Sequence, residues 1–173
     1  MTDATLPADN PFAQPSSLPY QLPDFAAIRT EHLRPAIDAG LAQQRAEWEA
    51  VATSTEAPTV ANTLDALERS GQLLDRVEAV FGTLVSSAGT DELRDIESEY
   101  APVLAAHQDA FWLDERIYAR LEQVQAAGVQ DPETAWVLQR YLTDFVRAGI
   151  LLDADDKASL RRLNGQITAL ETE

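Results

Sequence analysis

The chain contains no cysteine, and this absence excludes disulfides, thiolate catalysis and thiolate metal sites at once. Long apolar runs are missing as well, since no stretch approaches the roughly 18–20 apolar residues that a membrane span needs. The N-terminus has neither the basic region nor the apolar region of a secretory signal. We therefore expect a cytoplasmic protein without a membrane partner.

Basic residues are scarce. Lys and Arg total 13 against 29 Asp and Glu, which gives a formal net charge of −16. Such a charge repels phosphate backbones and anionic lipid headgroups. The composition therefore argues against a nucleic-acid partner.

Histidine is almost absent, and the two that occur do not form a zinc motif. A zinc-peptidase helix needs His-Glu-x-x-His, whereas Leu33 follows His32 and Gln108 follows His107. His107 lies on an apolar helical stripe, which predicts a histidine at the edge of the core. His32 lies in a first helical turn, which predicts a surface or capping role.

Other possible chemistry also lacks its full pattern. The acidic run at Asp153 resembles the start of a calcium loop but lacks the glycine and glutamate that an EF-hand requires, so helix capping explains it better. Ser70 has no Gly-x-Ser-x-Gly context, and no glycine-rich phosphate loop occurs. Glu97 and Glu99 match an ordinary solvated helix face. We predict no catalytic, cofactor-binding or metal-binding residue in this segment.

Strand signals are nearly absent, and apolar residues recur at steps of three and four. The predicted fold is all-α. A proline-rich extended arm (residues 1–23) is expected to precede a helical domain of five or six antiparallel helices (residues 24–173). Apolar residues in the later half of the arm could lie against the body of the domain. Those residues are Phe12, Leu18, Tyr20 and Leu22.

Predicted helix boundaries come from capping residues and glycines. The first helix is expected from Asp24, with Asp24 or Thr30 as its cap, and one long helix is expected from Thr59 to Gly89 with Gly71 inside it. A kink rather than a break is expected at Pro102. The remaining predicted caps are Thr90, Asp114, Asp131 and Asp153.

The stretch 136–170 predicts two helices joined by a turn at Gly149. The first has an apolar face of Trp136, Leu138, Tyr141, Leu142 and Phe145. The second carries apolar residues up to the end of the sequence without a Gly or Pro stop, namely Leu160, Leu163, Ile167 and Leu170. We therefore expect the last helix to be truncated.

Four phrases, in order, resemble a known family. They are Asn10-Pro11-Phe12 with LPYQLPDFAAIRTEHLRPAIDAGL, then PTVANTLDALERSGQLLDRVEAVFGTL, SEYAPVLAAHQDAFWLDERIYARL and YLTDFVRAGILLDADDKASLRRLNGQITAL. Together they look like the N-terminal region of the thimet oligopeptidase, oligopeptidase A and peptidyl-dipeptidase family of zinc metallopeptidases. The wordings ALERSG and FVRAGILL favour the peptidyl-dipeptidase branch.

The resemblance implies a helical lobe that walls a narrow substrate channel in a larger peptidase acting on short peptides. In that family the zinc ligands lie downstream of the matched region, so the parent would bind zinc and this segment would be inactive alone. Its partners would be short peptides and the remainder of the same polypeptide. The alternative is a stand-alone acidic helical interaction module without enzymatic activity.

Overall fold

The computed structural model describes residues 6–171, and these residues form helices joined by short connections. No strand occurs among residues 6–171, so the all-α prediction is confirmed. The helices are α1 Leu33–Ala52, α2 Asp65–Glu68, α3 Gln72–Ser87, α4 Asp91–Trp112, α5 Glu115–Ala127, α6 Pro132–Arg147 and α7 Ala154–Glu171. A π-helical turn, Val60–Leu64, leads into α2.

Most predicted helix starts are confirmed by side-chain caps. Each capping oxygen accepts a backbone N–H two or three residues ahead, which satisfies a donor that the first helical turn leaves unpaired. The distances are 3.1 Å for Thr59 to Asn62, 3.3 Å for Thr90 to Leu93, 2.8 Å for Asp114 to Arg116, 2.8 Å for Asp131 to Thr134 and 2.9 Å for Asp153 to Asp156.

The single long helix predicted between Thr59 and Gly89 is wrong, because the chain breaks at Gly71. This glycine has a left-handed backbone, with φ of 79°. A Cβ atom there would lie 2.0 Å from the Nε2 atom of Gln44. The Gln44 side chain of α1 and the backbone of Gly71 therefore lie close together, and the left-handed conformation favours glycine at this position.

The first helix begins later than predicted. The Asp24 carboxylate accepts the backbone N–H groups of Ala26 and Ala27, which makes a local turn instead of a helix start. A single 3₁₀ turn, Thr30–His32, then precedes α1. A carboxylate that accepts hydrogen bonds from nearby backbone N–H groups, as Asp24 does, offers the backbone an alternative to a helix.

The proline-rich segment buries less than expected. Phe12 is 4% exposed, and its N–H donates to the Asn10 side chain at 3.0 Å. Leu18, Tyr20 and Leu22 are instead exposed, because the 3₁₀ turn Pro19–Gln21 has a left-handed Tyr20 whose side chain is 97% exposed. The part of the predicted arm before Leu6 lies outside the described residues.

The described residues fall into two compact units, each built from separate parts of the chain. The first contains residues 6–46 and 71–99, and the second contains residues 47–70 and 100–171. In the first unit a Cβ on Gly40 would lie 2.9 Å from the Cα of Leu74, so α1 and α3 approach closely there. Its buried apolar residues include Leu33, Ile37, Leu74, Val77, Phe81, Leu93 and Ile96.

The second unit has an aromatic and aliphatic core. Trp136, predicted on the apolar face of α6, is 66% exposed because it lies two residues from Leu138 and so points to the other side of the helix. The helix α4 continues through Pro102, as the uninterrupted stripe predicted. The core contains Trp48, Val51, Leu64, Leu67, Phe111, Ile117, Leu121, Val124, Leu138, Leu142, Phe145 and Ile150.

A buried arginine joins α5 to the loop before Thr59. Arg120 is 7% exposed, and its guanidinium donates to the carbonyl oxygens of Ser54 at 2.9 Å and Glu56 at 3.2 Å. It also donates to the side chains of Asn62 and Thr63, each at 3.3 Å. Buried charge must find such partners, so this side chain fixes the path of the loop.

Arg116 links the start of α5 to α1. It donates to both carboxylate oxygens of Glu49, at 2.9 and 2.8 Å, and to Asp114 at 2.7 Å. Hydrogen bonds from Arg116 lower the pKa of Glu49. Burial raises the pKa of Asp114, but the side-chain and backbone hydrogen bonds that it accepts outweigh burial, and the net shift is downward.

Replacing Arg120 tests its role in the loop. All three tryptophans lie in the second unit, so their fluorescence follows its unfolding. Arg120→Met keeps the apolar stem but removes the four hydrogen bonds, and we expect a loss of about 2–4 kcal/mol in unfolding free energy, measured by urea titration. The control Arg147→Met removes a 69%-exposed side chain and should change it by less than about 0.5 kcal/mol. Equal effects of the two changes would contradict the assignment.

A second prediction concerns pH. A carboxyl whose folded pKa is lowered stabilises the fold above its unfolded pKa, and this contribution is lost as pH falls through the folded value. Asp114→Asn keeps a capping oxygen but removes the charge, so it should cost about 1 kcal/mol at pH 7. The cost should shrink toward zero below the ordinary Asp value of 3.8.

The matched control for this pH series is Asp91→Asn. Asp91 has a fully exposed side chain paired with Arg94 and lies one residue after the cap of its helix. We expect a change below about 0.5 kcal/mol at every pH. A cost for Asp114→Asn that stays constant between pH 7 and pH 3 would refute the linkage.

Candidate functional site

His32 uses its ring to close the turn before α1. Its Nδ1 atom accepts the backbone N–H of Arg29 at 3.0 Å, and its carbonyl oxygen accepts the side-chain amide of Asn10 at 3.0 Å. This hydrogen bond occupies the Nδ1 atom within the turn. The predicted capping role is confirmed.

His107 lies inside the second unit. It is 1% exposed and stacks on Trp48, with ring centroids 4.4 Å apart and planes inclined by 24°. Trp48 also contacts Phe111, at a centroid distance of 4.7 Å. The prediction that His107 belongs to the apolar stripe is confirmed, and its position is the core rather than the edge. This imidazole contributes to the packing of the core.

Ser70 has a structural role as well. Its hydroxyl donates to the carbonyl oxygen of Leu67 at 2.7 Å and accepts the indole N–H of Trp48 at 3.1 Å. A nucleophilic serine needs a histidine or equivalent base within hydrogen-bond reach. The partners of Ser70 are a carbonyl and an indole instead, so it ends α2 and holds Trp48.

The acidic residues considered from the sequence act as caps and ion-pair partners. Asp153 caps α7, as its distance to Asp156 showed, and the exposed Glu99 accepts the Nε of Arg34 at 2.7 Å. Among residues 6–171, no group of three or more His, Cys, Asp or Glu side chains is placed to hold a metal ion.

Several titratable side chains have shifted pKa values, and none of them lies beside a group with which it would react. Burial, followed by its hydrogen bond to Glu68, raises the pKa of Tyr141; its hydroxyl donates at 2.6 Å. Burial raises the pKa values of Asp75 and Glu78 on α3, and the charge of Asp75 adds to the shift at Glu78. Perturbed values accompany structural ion pairs as well as active sites, and here they accompany helix contacts.

The buried Arg120 is the feature that the sequence prediction missed. Its position between Ile117 and Val124 places it on the apolar side of α5, and both of these neighbours are buried. An arginine at helical spacing within an apolar stripe signals a buried guanidinium that needs carbonyl or carboxylate partners. That signal was present in the sequence.

Within the described part of the chain, no helix is both long and apolar enough to cross a membrane. The cytoplasmic location expected from the sequence stays a prediction.

Comparison with known proteins points to peptidases. No family model matches the chain. It is 38% identical over 165 residues to a dipeptidyl carboxypeptidase of Salmonella typhimurium, with 93% of this chain and 24% of that protein covered. It is 36% identical over 168 residues to a dipeptidyl carboxypeptidase of Escherichia coli, with 95% of this chain and 24% of that protein covered.

The similarity extends over nearly the whole chain, whereas the chain spans about a quarter of the length of these relatives. The family indicated by the four sequence phrases, and its peptidyl-dipeptidase branch, agree with both relatives. The predicted resemblance is therefore confirmed: over 93–95% of its length this chain is similar to bacterial dipeptidyl carboxypeptidases.

Proposed function

We propose that this chain is the N-terminal helical part of a zinc-dependent peptidase of the dipeptidyl carboxypeptidase type and forms part of the wall of its substrate channel. The observation that carries the proposal is the identity of 36–38% over 93–95% of the chain. Both compact units lie within that similarity. The substrates would be short peptides.

The proposal assigns the chemistry to the rest of the parent polypeptide. His32 caps a turn, His107 is buried and stacks on Trp48, and Ser70 is held by a carbonyl and an indole. These structural roles support the view that residues 1–173 contribute no catalytic residue and no zinc ligand. Zinc, when bound by the parent, would polarise the peptide carbonyl from ligands outside this segment.

A channel wall needs a fixed surface more than it needs reactive groups. Arg120 holds the loop before Thr59 through two hydrogen bonds and the turn after it through two more, and Arg116 joins α5 to α1 through Glu49. Rigid placement of this kind lets a wall select substrates by width and shape. The segment would thus restrict the parent to short, unfolded peptides without touching the bond that is cleaved.

One observation favours the alternative, a stand-alone acidic interaction module. Apolar side chains on α7 remain exposed, at 47% for Leu163, 53% for Ile167 and 70% for Leu170. Such a face suits a partner surface, whether on a separate protein or on the remainder of the same polypeptide. The two possibilities differ in what the coding sequence contains beyond codon 173.

We expect the purified chain to bind no stoichiometric zinc and to hydrolyse no peptide, because the described residues do not fit a zinc site. Metal analysis and chromatography of peptide digests measure the two properties, and circular dichroism verifies that the sample is helical. Zinc at one equivalent, or hydrolysis that a chelator abolishes, would overturn this assignment.

The matching positive experiment is a chimera. This chain replaces the corresponding region of the Escherichia coli relative, and peptide hydrolysis is measured beside the unmodified enzyme and a version lacking that region. The chimera should be active and the truncated version inactive. A folded but inactive chimera, or a stop codon after codon 173 with no His-Glu-x-x-His encoded downstream, would contradict the proposal.

The exposed face of α7 generates another prediction. Each large apolar side chain left in water forgoes roughly 1.5–3 kcal/mol of burial energy, so the isolated chain should self-associate as its concentration rises. The double change Leu163→Glu and Ile167→Glu should suppress this association in sedimentation velocity measurements.

The control carries the same change of net charge on another side of α7. Ala158→Glu with Arg162→Gln alters two exposed positions outside the apolar stripe and should leave the association unchanged. A wild-type chain that remains monomeric at all concentrations would refute the prediction.

A further inference from the structure

A cavity of about 660 Å³ lies in the first unit, between the proline-rich segment and α3. Its walls are largely apolar and include Phe12, Leu18, Ile28 and Val80. The volume falls within the roughly 300–1,000 Å³ typical of sites for small ligands, which combine apolar walls with a few polar groups. Neither the predicted channel wall nor the helix contacts described above account for it.

Arg76 supplies the distinctive polar group. It is half-buried on α3 and lines both this cavity and a neighbouring one of about 690 Å³. Several other arginines of the described chain form ion pairs, such as Arg34 with Glu99. Among residues 6–171, the Arg76 guanidinium makes no hydrogen bond or close ion pair; Asp75 beside it interacts only through its charge.

A partly desolvated guanidinium favours a carboxylate, which it can bind through two parallel hydrogen bonds. A simple anion is nevertheless disfavoured, because Asp9 and Asp24 also line the cavity. Asp24 is engaged by the N–H groups of Ala26 and Ala27, whereas the Asp9 side chain is exposed. A ligand with a carboxylate, an ammonium group and an apolar body satisfies all of these groups together.

We propose that this cavity binds a short apolar peptide with free ends, with its terminal carboxylate on Arg76, its ammonium group near Asp9 and its side chains against Phe12, Leu18 and Val80. The inference deepens the proposed function, on which it rests for the choice of peptides as ligand class. The site would hold a peptide away from the residues that cleave it, as a secondary binding site.

The test is a titration of the ¹⁵N-labelled full chain with leucyl-leucine, followed by amide chemical shifts. Shifts should concentrate at residues 9–28 and 76–80. Leucyl-leucine amide, which lacks the carboxylate, should bind about tenfold or more weakly. Arg76→Gln should weaken binding of the free dipeptide by a similar factor and remove the preference over the amide, whereas Arg76→Lys should restore part of it.

The matched control is Arg45→Gln, because Arg45 is an exposed arginine of the same unit that lines neither cavity. It should bind the dipeptide as the wild type does. Leu18→Asp offers a second route if Arg76→Gln misfolds, since it places a carboxylate in the apolar wall at a 41%-exposed position and should also weaken binding.

Any of three results would overturn the proposed site: no binding at about 10 mM dipeptide, equal binding of the amide, or chemical-shift changes confined to other residues. The chimera experiment does not depend on this cavity. A failed titration beside an active chimera therefore rejects only the secondary site, whereas a successful titration beside an inactive chimera rejects only the peptidase assignment.

Discussion

The indole ring of Trp48 connects three parts of the second unit, because it stacks on His107, contacts Phe111 and donates its N–H to Ser70. The side chain is 8% exposed, so these contacts take the place of water on nearly its whole surface. Aromatic pairs of this geometry add to the energy of area burial. Because of these contacts, His107 and Ser70 have structural roles.

Local chemistry made much of the fold predictable. Thr59, Thr90, Asp114 and Asp131 cap their helices because each offers a short-range acceptor to backbone donors a few residues ahead, and this depends little on the rest of the molecule. Gly71 shows where prediction from local chemistry stops. A glycine inside an apolar stripe is compatible with a continuous helix or a break, and its close contact with Gln44, distant in sequence, decides between them.

Prediction of the functional site was limited in a similar way. The phrases around His32 and His107 carried the family resemblance, and zinc ligands downstream of this segment, which that resemblance implies, stay a prediction. Sequence reasoning did not find the role of Arg120 or the cavity beside Arg76. Both depend on which loop or segment lies against a helix, and periodicity along one helix contains no such information.

The division into two units has a consequence for how this region can be altered. The chain passes from one unit to the other at residues 46–47, 70–71 and 99–100, and the first and last of these passages lie within α1 and α4. No single cut in the backbone therefore releases either unit intact. Exchanging one of them for a related unit therefore requires all three junctions to match, and two of those junctions lie inside continuous helices.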